Sequence, residues 1–527
     1  MQREKVIVIG AGVGGLTSAA LLAARGLDVT IIEAASAPGG KMRQVNSGGA
    51  LIDGGPTVFT MREVFDEIFE SCGASLDDHI TLTPSTTLAR HAWGNDRLDL
   101  FADRAASEAA IGDFAGAQAA QGYRRFCAEA AQIFTSLRQP FLRSQRAGPV
   151  RLAWEMGKAN PADLLTTRPF QTLWGALGEY FPDPRLRQLF GRYSTYCGSS
   201  PFKCPATLML IAHVEARGVW LIDGGMHALA RALEAIGKAN GAHYRYGEPV
   251  REILVDQGRA SGVVLASGER VSASTIVCNA DPAAIADGRF GAAVSGAVPG
   301  MAPAARSLGA MVWTAHATTS GFPLAHHNVF FSNDYEAEFV DLAAGHLPRA
   351  PTVYICAQDR DDQGVDQGVD QGGAAPARRE RLQILVNAPA NGDGPGFTEA
   401  EIDQCQSRML QITERAGLSL ALPTSATVLS TPATFESLFP STGGALYGLA
   451  SHGWAASFRR QGARTAIPGI YCAGGSTHPG AGVPMAALSG GLAVDILLRD
   501  LASTSKSTRR AMRGGTSTPA AKTAASV

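Results

Sequence analysis

The chain has 527 residues, 45% hydrophobic and 18% charged, with 60 glycines and 46 basic against 47 acidic side chains. That length allows two to four domains of roughly 100–200 residues and enough apolar residues for a sizeable core, and the composition excludes a disordered, collagenous or coiled-coil chain. A net charge of −1 gives no reason to expect a nucleic-acid partner.

The eight cysteines form no Cys-x-x-Cys pair, so reduced, mostly buried thiols are expected rather than a disulfide scaffold or zinc site. No signal-peptide layout opens the chain, and no apolar run reaches the roughly 18 residues of a spanning helix. A cytoplasmic location, compatible with peripheral membrane contact, is the expectation.

In chain order, Val6-Ile7-Val8-Ile9 reads as a buried parallel strand. Gly10-Ala11-Gly12-Val13-Gly14-Gly15 follows, then a helical stretch from Leu16 to Arg25 that Gly26 is placed to end. Asp28 to Ile32 is a second strand closing on Glu33, which completes a βαβ half-unit. A Pro38-Gly39-Gly40 loop leads to a hairpin from Gln44 to Ile52 about Gly48-Gly49, then to a turn at Asp53-Gly54-Gly55-Pro56. Residues 62–218 read as mostly helical. Trp220-Leu221-Ile222 returns to strand, and a helix runs from Met226 to Gly237. Strands are expected at 253–255, 262–265 and 275–277, a mixture of strands and helices over 306–450, a buried strand over 470–473, and a final helix from Leu488 to Leu501. The repeat Asp362-Gln363-Gly364-Val365, continued to Gly372, reads as a solvated loop insert. Residues 503–527 carry five basic residues and no acid; they read as a disordered tail, either solvated or a weak tether to anionic lipid.

The strand–Gly10-x-Gly12-x-x-Gly15–helix arrangement predicts a dinucleotide site. Gly10 permits the tight turn, Gly12 the close approach of a pyrophosphate, and Gly15 close helix–strand packing. The helix N-terminus offers free N–H groups and the positive end of its dipole. Glu33, at the end of the second strand, can accept ribose hydroxyls and would repel a 2′-phosphate, so NADP is disfavoured. Pro38-Gly39-Gly40-Lys41-Met42-Arg43 stands where a plain nicotinamide domain would have a crossover helix. Lys41 and Arg43 either neutralise phosphate charge or form a solvated basic pair.

At this point the sequence resembles the amine-oxidase-type flavoproteins, and more specifically the phytoene-desaturase family of carotenoid desaturases, over roughly residues 5–500. The residues that carry the resemblance are Asp53-Gly54-Gly55-Pro56-Thr57-Val58, Gly218-Val219-Trp220 with Gly224-Gly225-Met226, and His327-Asn328-Val329-Phe330-Phe331 with Asp334-Tyr335 and Glu338-Phe339. To these are added Gly443-Gly444-Ala445-Leu446-Tyr447-Gly448 and the long segment from Ile467 to Pro484. Gly475-Ser476 and Val483-Pro484-Met485-Ala486 depart from the phytoene-desaturase pattern and look more like the hydroxycarotenoid 3,4-desaturase branch.

The resemblance implies an α/β fold, with a Rossmann-like FAD-binding domain and a mixed α+β substrate domain, both discontinuous in sequence. The expected pieces are 1–70, 220–290 and 455–502 for FAD, 71–219 and 291–454 for a substrate- and membrane-facing domain, and the tail from 503. It implies non-covalent FAD held by Gly10, Gly12, Gly14, Gly15, Glu33, Gly40, Lys41, Arg43, Gly55, Pro56, Thr57, the Val250 backbone, Gly474, Gly475, Val483 and Pro484. The implied partners are an acyclic C40 carotenoid and a bilayer surface; no motif specifies the electron acceptor. The implied reaction is 3,4-desaturation of a 1-hydroxy- or 1-methoxycarotenoid. Desaturation of other polyene bonds and a non-catalytic carotenoid-binding role stand as alternatives.

No Gly-x-Ser-x-Gly or His-Glu-x-x-His occurs, and no metal site is expected. The pair His326-His327 reads as structural. His478 either lines the flavin site or holds its loop by a backbone hydrogen bond. Asp183 and Arg187, in Phe181-Pro182-Asp183-Pro184-Arg185-Leu186-Arg187, sit where the family has a similar Asp and Arg, and are the catalytic candidates; the same pattern is that of a helix N-cap.

Overall fold

A computed structural model describes residues 4–159, 167–361 and 379–513. Its parallel sheet is assembled from three distant stretches of chain. Strand β1 (Lys5–Ile9) lies between β2 (Asp28–Ile32) and the strand Thr275–Cys278; His243–Arg245 pairs outside β2, and Ile470–Cys472 closes the other edge. Every neighbouring pair in this five-stranded sheet is parallel. Such a sheet is stable only if both faces are covered, and the alternation of β1 shows how. Val6 and Val8 join a core with helix α1 (Val13–Ala24), the helix Met226–Ala239 and the final helix. Ile7 and Ile9 point the other way, onto Ile253, Val263 and Leu265 of a three-stranded antiparallel sheet.

The hairpin forms as expected from strands β3 (Gln44–Ser47) and β4 (Ala50–Asp53). Gly48 and Gly49 turn it with φ of 62° and 88°, a conformation that costs a residue with a Cβ. The predicted strand near Trp220 is present as Val219–Ile222. It pairs with Phe59–Thr60 and Leu82–Pro84 in a separate small sheet.

A larger sheet builds the second half of the molecule. Its strands are Thr87–Trp93, Asp96–Phe101, Gly309–Ser320, His327–Phe330, Val353–Ala357, Glu380–Ala388, Ser419–Ala421 and Thr427–Ser430. The first two correct the expectation of a mostly helical 62–218 segment. Thr87–Trp93 is buried on both sides, which hides its alternation; the readable signal was the turn at Gly94-Asn95, with Gly94 at φ 56°. One face of this sheet packs on a helical layer whose centre is the ring cluster Phe126, Phe181 and Phe190. The other face packs on the helix Glu399–Arg415.

The final helix starts at Val483, five residues earlier than expected, and its backbone continues to Arg513. The expected disordered tail from 503 is therefore corrected over its first part. Residues 514–527 and the repeat at 362–372 lie outside the described residues.

Glu338, on the helix Tyr335–Ala343, is fully buried against this sheet. Its carboxyl accepts from Thr352 N–H and Oγ1–H at 3.0 and 2.6 Å and from Asn387 Nδ2 at 2.7 Å. Burial outweighs these bonds and pushes its pKa up to about 7. The folded state then holds a proton that the unfolded chain has released, so stability should fall as pH rises from the ordinary glutamate range through about 7, by on the order of 3 kcal/mol. Denaturant midpoints between about pH 5 and 8 should show this slope in the wild type and a flatter one in Glu338→Gln; equal slopes would contradict it.

Candidate active site

The loop between β1 and α1 is built around space that side chains would fill. Gly10 turns with φ 93° while its N–H bonds Ile32 O at 2.9 Å. A Cβ on Gly12 would lie 2.5 Å from Asn279 Oδ1, one on Gly14 would lie 2.7 Å from Gly474 N, and one on Gly15 would fall against Gly10 O. Gly12 caps α1 with no side chain, which leaves the first N–H groups of the helix open to an anion. Glu33 accepts from Ala11 N–H at 2.6 Å and Ala35 N–H at 2.7 Å, which fixes its carboxylate at the mouth of the glycine turn.

Three further segments meet this cradle. Gly39 donates to Ala11 O at 2.8 Å, and Gly40 turns at φ 57°, where a Cβ would lie 3.1 Å from Gly12 Cα. Gly55 lies against Lys41 O with no room for a Cβ, and Gln383 Nε2 donates to Gly55 O at 2.8 Å. The C-terminal segment arrives through Gly474, φ 127°, whose carbonyl accepts from Thr477 Oγ1 at 2.6 Å. Asn279 ties these pieces: its N–H bonds Ile9 O at 2.8 Å and its Nδ2 bonds Ala473 O at 2.9 Å. The residues present fit a dinucleotide cofactor: an open helix N-terminus, a carboxylate beside it, and buried polar atoms with no partner among the described residues, Asp281 Oδ2 and Arg43 Nε.

Beyond the cradle lies a cavity of about 570 Å³, within the usual range for small-molecule sites. Gly55, Pro56 and Thr57 line one wall, and Pro479 to Met485 another, with Val483 and Pro484 opening the final helix. From there a run of rings leads outward. His478 and Phe141 are 4.9 Å apart, Phe141 and Phe458 6.3 Å, Phe458 and Trp454 6.3 Å, and Trp454 and Phe170 5.7 Å. At the outer end the apolar side chains face solvent: Phe170 is 82% exposed, Trp454 46%, Val150 83% and Trp154 64%. The last two sit on the helix Pro149–Ala159, whose other face (Leu152, Ala153, Met156) lines the cavity.

Some sequence candidates are placed elsewhere. Asp183 is the N-cap of the helix Pro184–Gly191: Oδ1 accepts from Arg185 N–H at 2.8 Å, and Oδ2 pairs with the Arg185 guanidinium at 2.7 Å. Burial raises its pKa, but the Arg185 bonds outweigh this and hold the carboxyl below its ordinary value. Arg187 donates to Phe181 O at 2.7 Å. Neither lines the cavity, and Asp183 makes the capping contact that its neighbours in sequence spell. Lys41 Nζ donates to Leu446 O at 2.5 Å, and burial lowers its pKa. Arg43 reaches Ser430 Oγ at 2.7 Å and lies over the Phe435 ring, so both bases brace the second half of the molecule. Val250 opens the strand that follows Glu248, whose N–H bonds Glu33 O at 3.0 Å. Gly475 has room for a Cβ.

His478 Nε2 contacts Ser144 O at 2.9 Å, the loop-holding alternative, and burial lowers its pKa to about 4. His327 is buried with Nδ1 on the Tyr354 hydroxyl at 2.8 Å; His326, His327 and Cys356 bring one ligand atom each within 4.8 Å of one another. Sequence reasoning missed three groups. Asp53, whose Oδ2 accepts Met226 N–H at 2.5 Å, physically joins two of the family's motifs. Arg460 is buried and donates to Tyr447 O at 2.8 Å and Leu449 O at 2.7 Å. Arg192 and Glu215 are a cation and an acid in the cavity wall.

Known structures of low sequence identity share this fold. An oxidoreductase from Methanosarcina mazei superposes with a TM-score of 0.57 over 92% of this chain and 99% of its own, at 16% identity. Cyclohexylamine oxidase from Brevibacterium oxydans superposes with 0.53 over 95% and 100%, also at 16%. Residues 13–319 match the family described as flavin containing amine oxidoreductase. The fold and site are thus those of an FAD-dependent oxidoreductase. In sequence the chain is 51% identical to hydroxyneurosporene desaturase of Rubrivivax gelatinosus over 99% of this chain and 98% of that one. It is 46% identical to the protein of the same name from Cereibacter sphaeroides over 95% and 99%, and 29% identical to all-trans-zeta-carotene desaturase of Myxococcus xanthus over 94% and 93%. The chain belongs to the flavin-containing amine oxidoreductases and, within them, to the carotenoid desaturases.

The placement of Asp183 has a direct consequence. Asn caps a helix about as well as Asp, so Asp183→Asn should keep FAD and reduce flavin within about twofold of the wild-type rate. A loss of two or more orders of magnitude, as expected for removal of a general acid or base, would restore Asp183 to the mechanism.

Proposed function

We propose that the protein introduces a C-3,4 double bond into an acyclic 1-hydroxy- or 1-methoxycarotenoid. The observation that carries this reading is the apolar cavity, which runs from exposed aromatic residues to the wall formed by Gly55–Thr57 and Pro479–Pro484. The relatives named hydroxyneurosporene desaturase at 43–51% identity support the choice of substrate. FAD, when bound, supplies the two-electron oxidation. The chain's own contribution is position and dryness: Phe141, Phe458, Leu152 and Met156 hold a polyene along the cavity and keep water from it. Glu215, buried in the wall and held by the Tyr193 and Tyr196 hydroxyls, has its pKa raised by burial and is the carboxylate placed to take a substrate proton.

The same reading assigns the cavity mouth to a bilayer surface. Among the described residues no helix is long and apolar enough to cross a membrane, and a water-insoluble polyene has to enter from lipid. The helix Pro149–Ala159 turns Val150 and Trp154 outward among the charged Arg151, Glu155 and Lys158, beside Phe170 and Trp454. Side chains of this kind seat in the interfacial layer.

Expression in a bacterium that makes neurosporene and its 1-hydroxy derivative should convert the hydroxylated pigment to one with a longer conjugated system. Unchanged pigment would leave only a binding role, and a new double bond elsewhere would refute the 3,4 position. On liposomes at high salt, Trp154→Ser with Phe170→Ser should lower bound protein by at least about tenfold, given roughly 1.5–3 kcal/mol per buried large apolar side chain, while FAD is retained. Unchanged binding would move the membrane face elsewhere.

A further inference from the structure

We propose that Arg192 selects the substrate by donating hydrogen bonds to the oxygen on C1; the inference rests on the desaturase reading above. Arg192 opens the segment Arg192–Cys197 and lines the cavity with Thr57, Tyr196, Glu215 and Tyr354. Its guanidinium lies over the Tyr196 ring at 5.3 Å and the Tyr354 ring at 5.2 Å. Neither ring contact uses up an N–H group in a hydrogen bond to a carbonyl or carboxylate, so the fork of donors is held in place by packing. Among the described residues its side chain has one hydrogen-bond partner, the Tyr196 hydroxyl at 3.3 Å, and no carboxylate within ion-pair distance. Glu215, the acid that faces it, already accepts from Tyr193 and Tyr196. Arg460, the other arginine in the wall, already donates through both terminal nitrogens, to Tyr447 O and Leu449 O. Among the described residues Arg192 is therefore the cavity arginine with more N–H groups left to offer.

Its position matches what the substrate needs. The Tyr354 hydroxyl is 2.6 Å from Thr57 Oγ1, which puts Arg192 one ring away from the Gly55–Thr57 wall. In a 1-oxygenated acyclic carotenoid the oxygen is attached two carbons from C3, one of the reacting carbons. A group that reads this oxygen must stand beside the redox centre rather than at the mouth. An arginine can donate to a hydroxyl or to a methyl ether, so both substrates satisfy it. A hydrocarbon end displaces water from the remaining N–H groups and offers them no acceptor, which penalises that complex. Arg192 thus works by attraction of the oxygenated end and by rejection of the bare one.

The test compares kcat/KM for 1-hydroxyneurosporene with that for neurosporene, whose corresponding end carries no oxygen. In Arg192→Met the preference for the oxygenated substrate should fall by roughly ten- to a hundredfold, the span of a hydrogen bond to a charged group, and Arg192→Lys, which keeps a donor, should retain part of it. An unchanged preference in an FAD-loaded Arg192→Met overturns the inference. Should neither variant load FAD, the wild-type holoenzyme decides: the flavin spectrum should report at least about tenfold tighter binding of the oxygenated carotenoid, and equal affinities overturn the proposal. A wild type that does not desaturate 1-hydroxyneurosporene at C-3,4 would refute the functional reading itself, a distinct outcome.

Discussion

The structure depends on one crowded junction, the contact of Asn279 with the glycine turn and the C-terminal segment. Asn279 leaves its strand bonded to Ile9 O, and its amide reaches Ala473 O on the neighbouring strand end. Gly12 and Gly14 are glycines here because Asn279 and Gly474 occupy the space their side chains would need. The cofactor-binding loop is thereby shaped by protein packing. Three segments far apart in sequence have to be in register before the loop exists. A parallel sheet makes this possible, since its strand ends bring distant turns to one edge.

From that edge the chemistry is arranged by burial. Lys41 and Arg460 lie close enough to influence one another and Asp281, and burial lowers the pKa of both bases. Charges in such a place are costly unless backbone carbonyls hold them, as Leu446, Tyr447 and Leu449 do. The cavity that starts there grades from this polar end through a line of rings to exposed aromatic residues. A long apolar molecule with one polar end has a single sensible orientation in such a space.

How much of this was legible in the sequence follows from range. The βαβ half-unit, the Gly48-Gly49 hairpin and the late strand were readable because each is a local pattern: β-branched runs, glycines at fixed offsets, an acid at a strand end. Asp183 shows the limit of local reading. Its neighbours spell an N-cap, and the cap is what the structure contains; the catalytic alternative rested on family position alone. Lys41 and Arg43 follow a glycine turn and allow either a phosphate-neutralising or a solvated reading; their contacts to Leu446 and Ser430, some four hundred residues away, have no local signal. Arg192 and Glu215 carry no local signature, and only the folded cavity shows that they face one another. The strand Thr87–Trp93 was hidden because burial on both faces erases the alternation that reveals a strand.

The central claim is that this cavity and cradle together form a desaturase. Anaerobic mixing of the FAD-loaded enzyme with a 1-hydroxylated acyclic carotenoid tests it most directly. The account predicts loss of the oxidised flavin band in step with a red shift of the carotenoid, one flavin reduced per double bond formed. Carotenoid that binds while the flavin stays oxidised and the polyene spectrum gains no conjugation would contradict it.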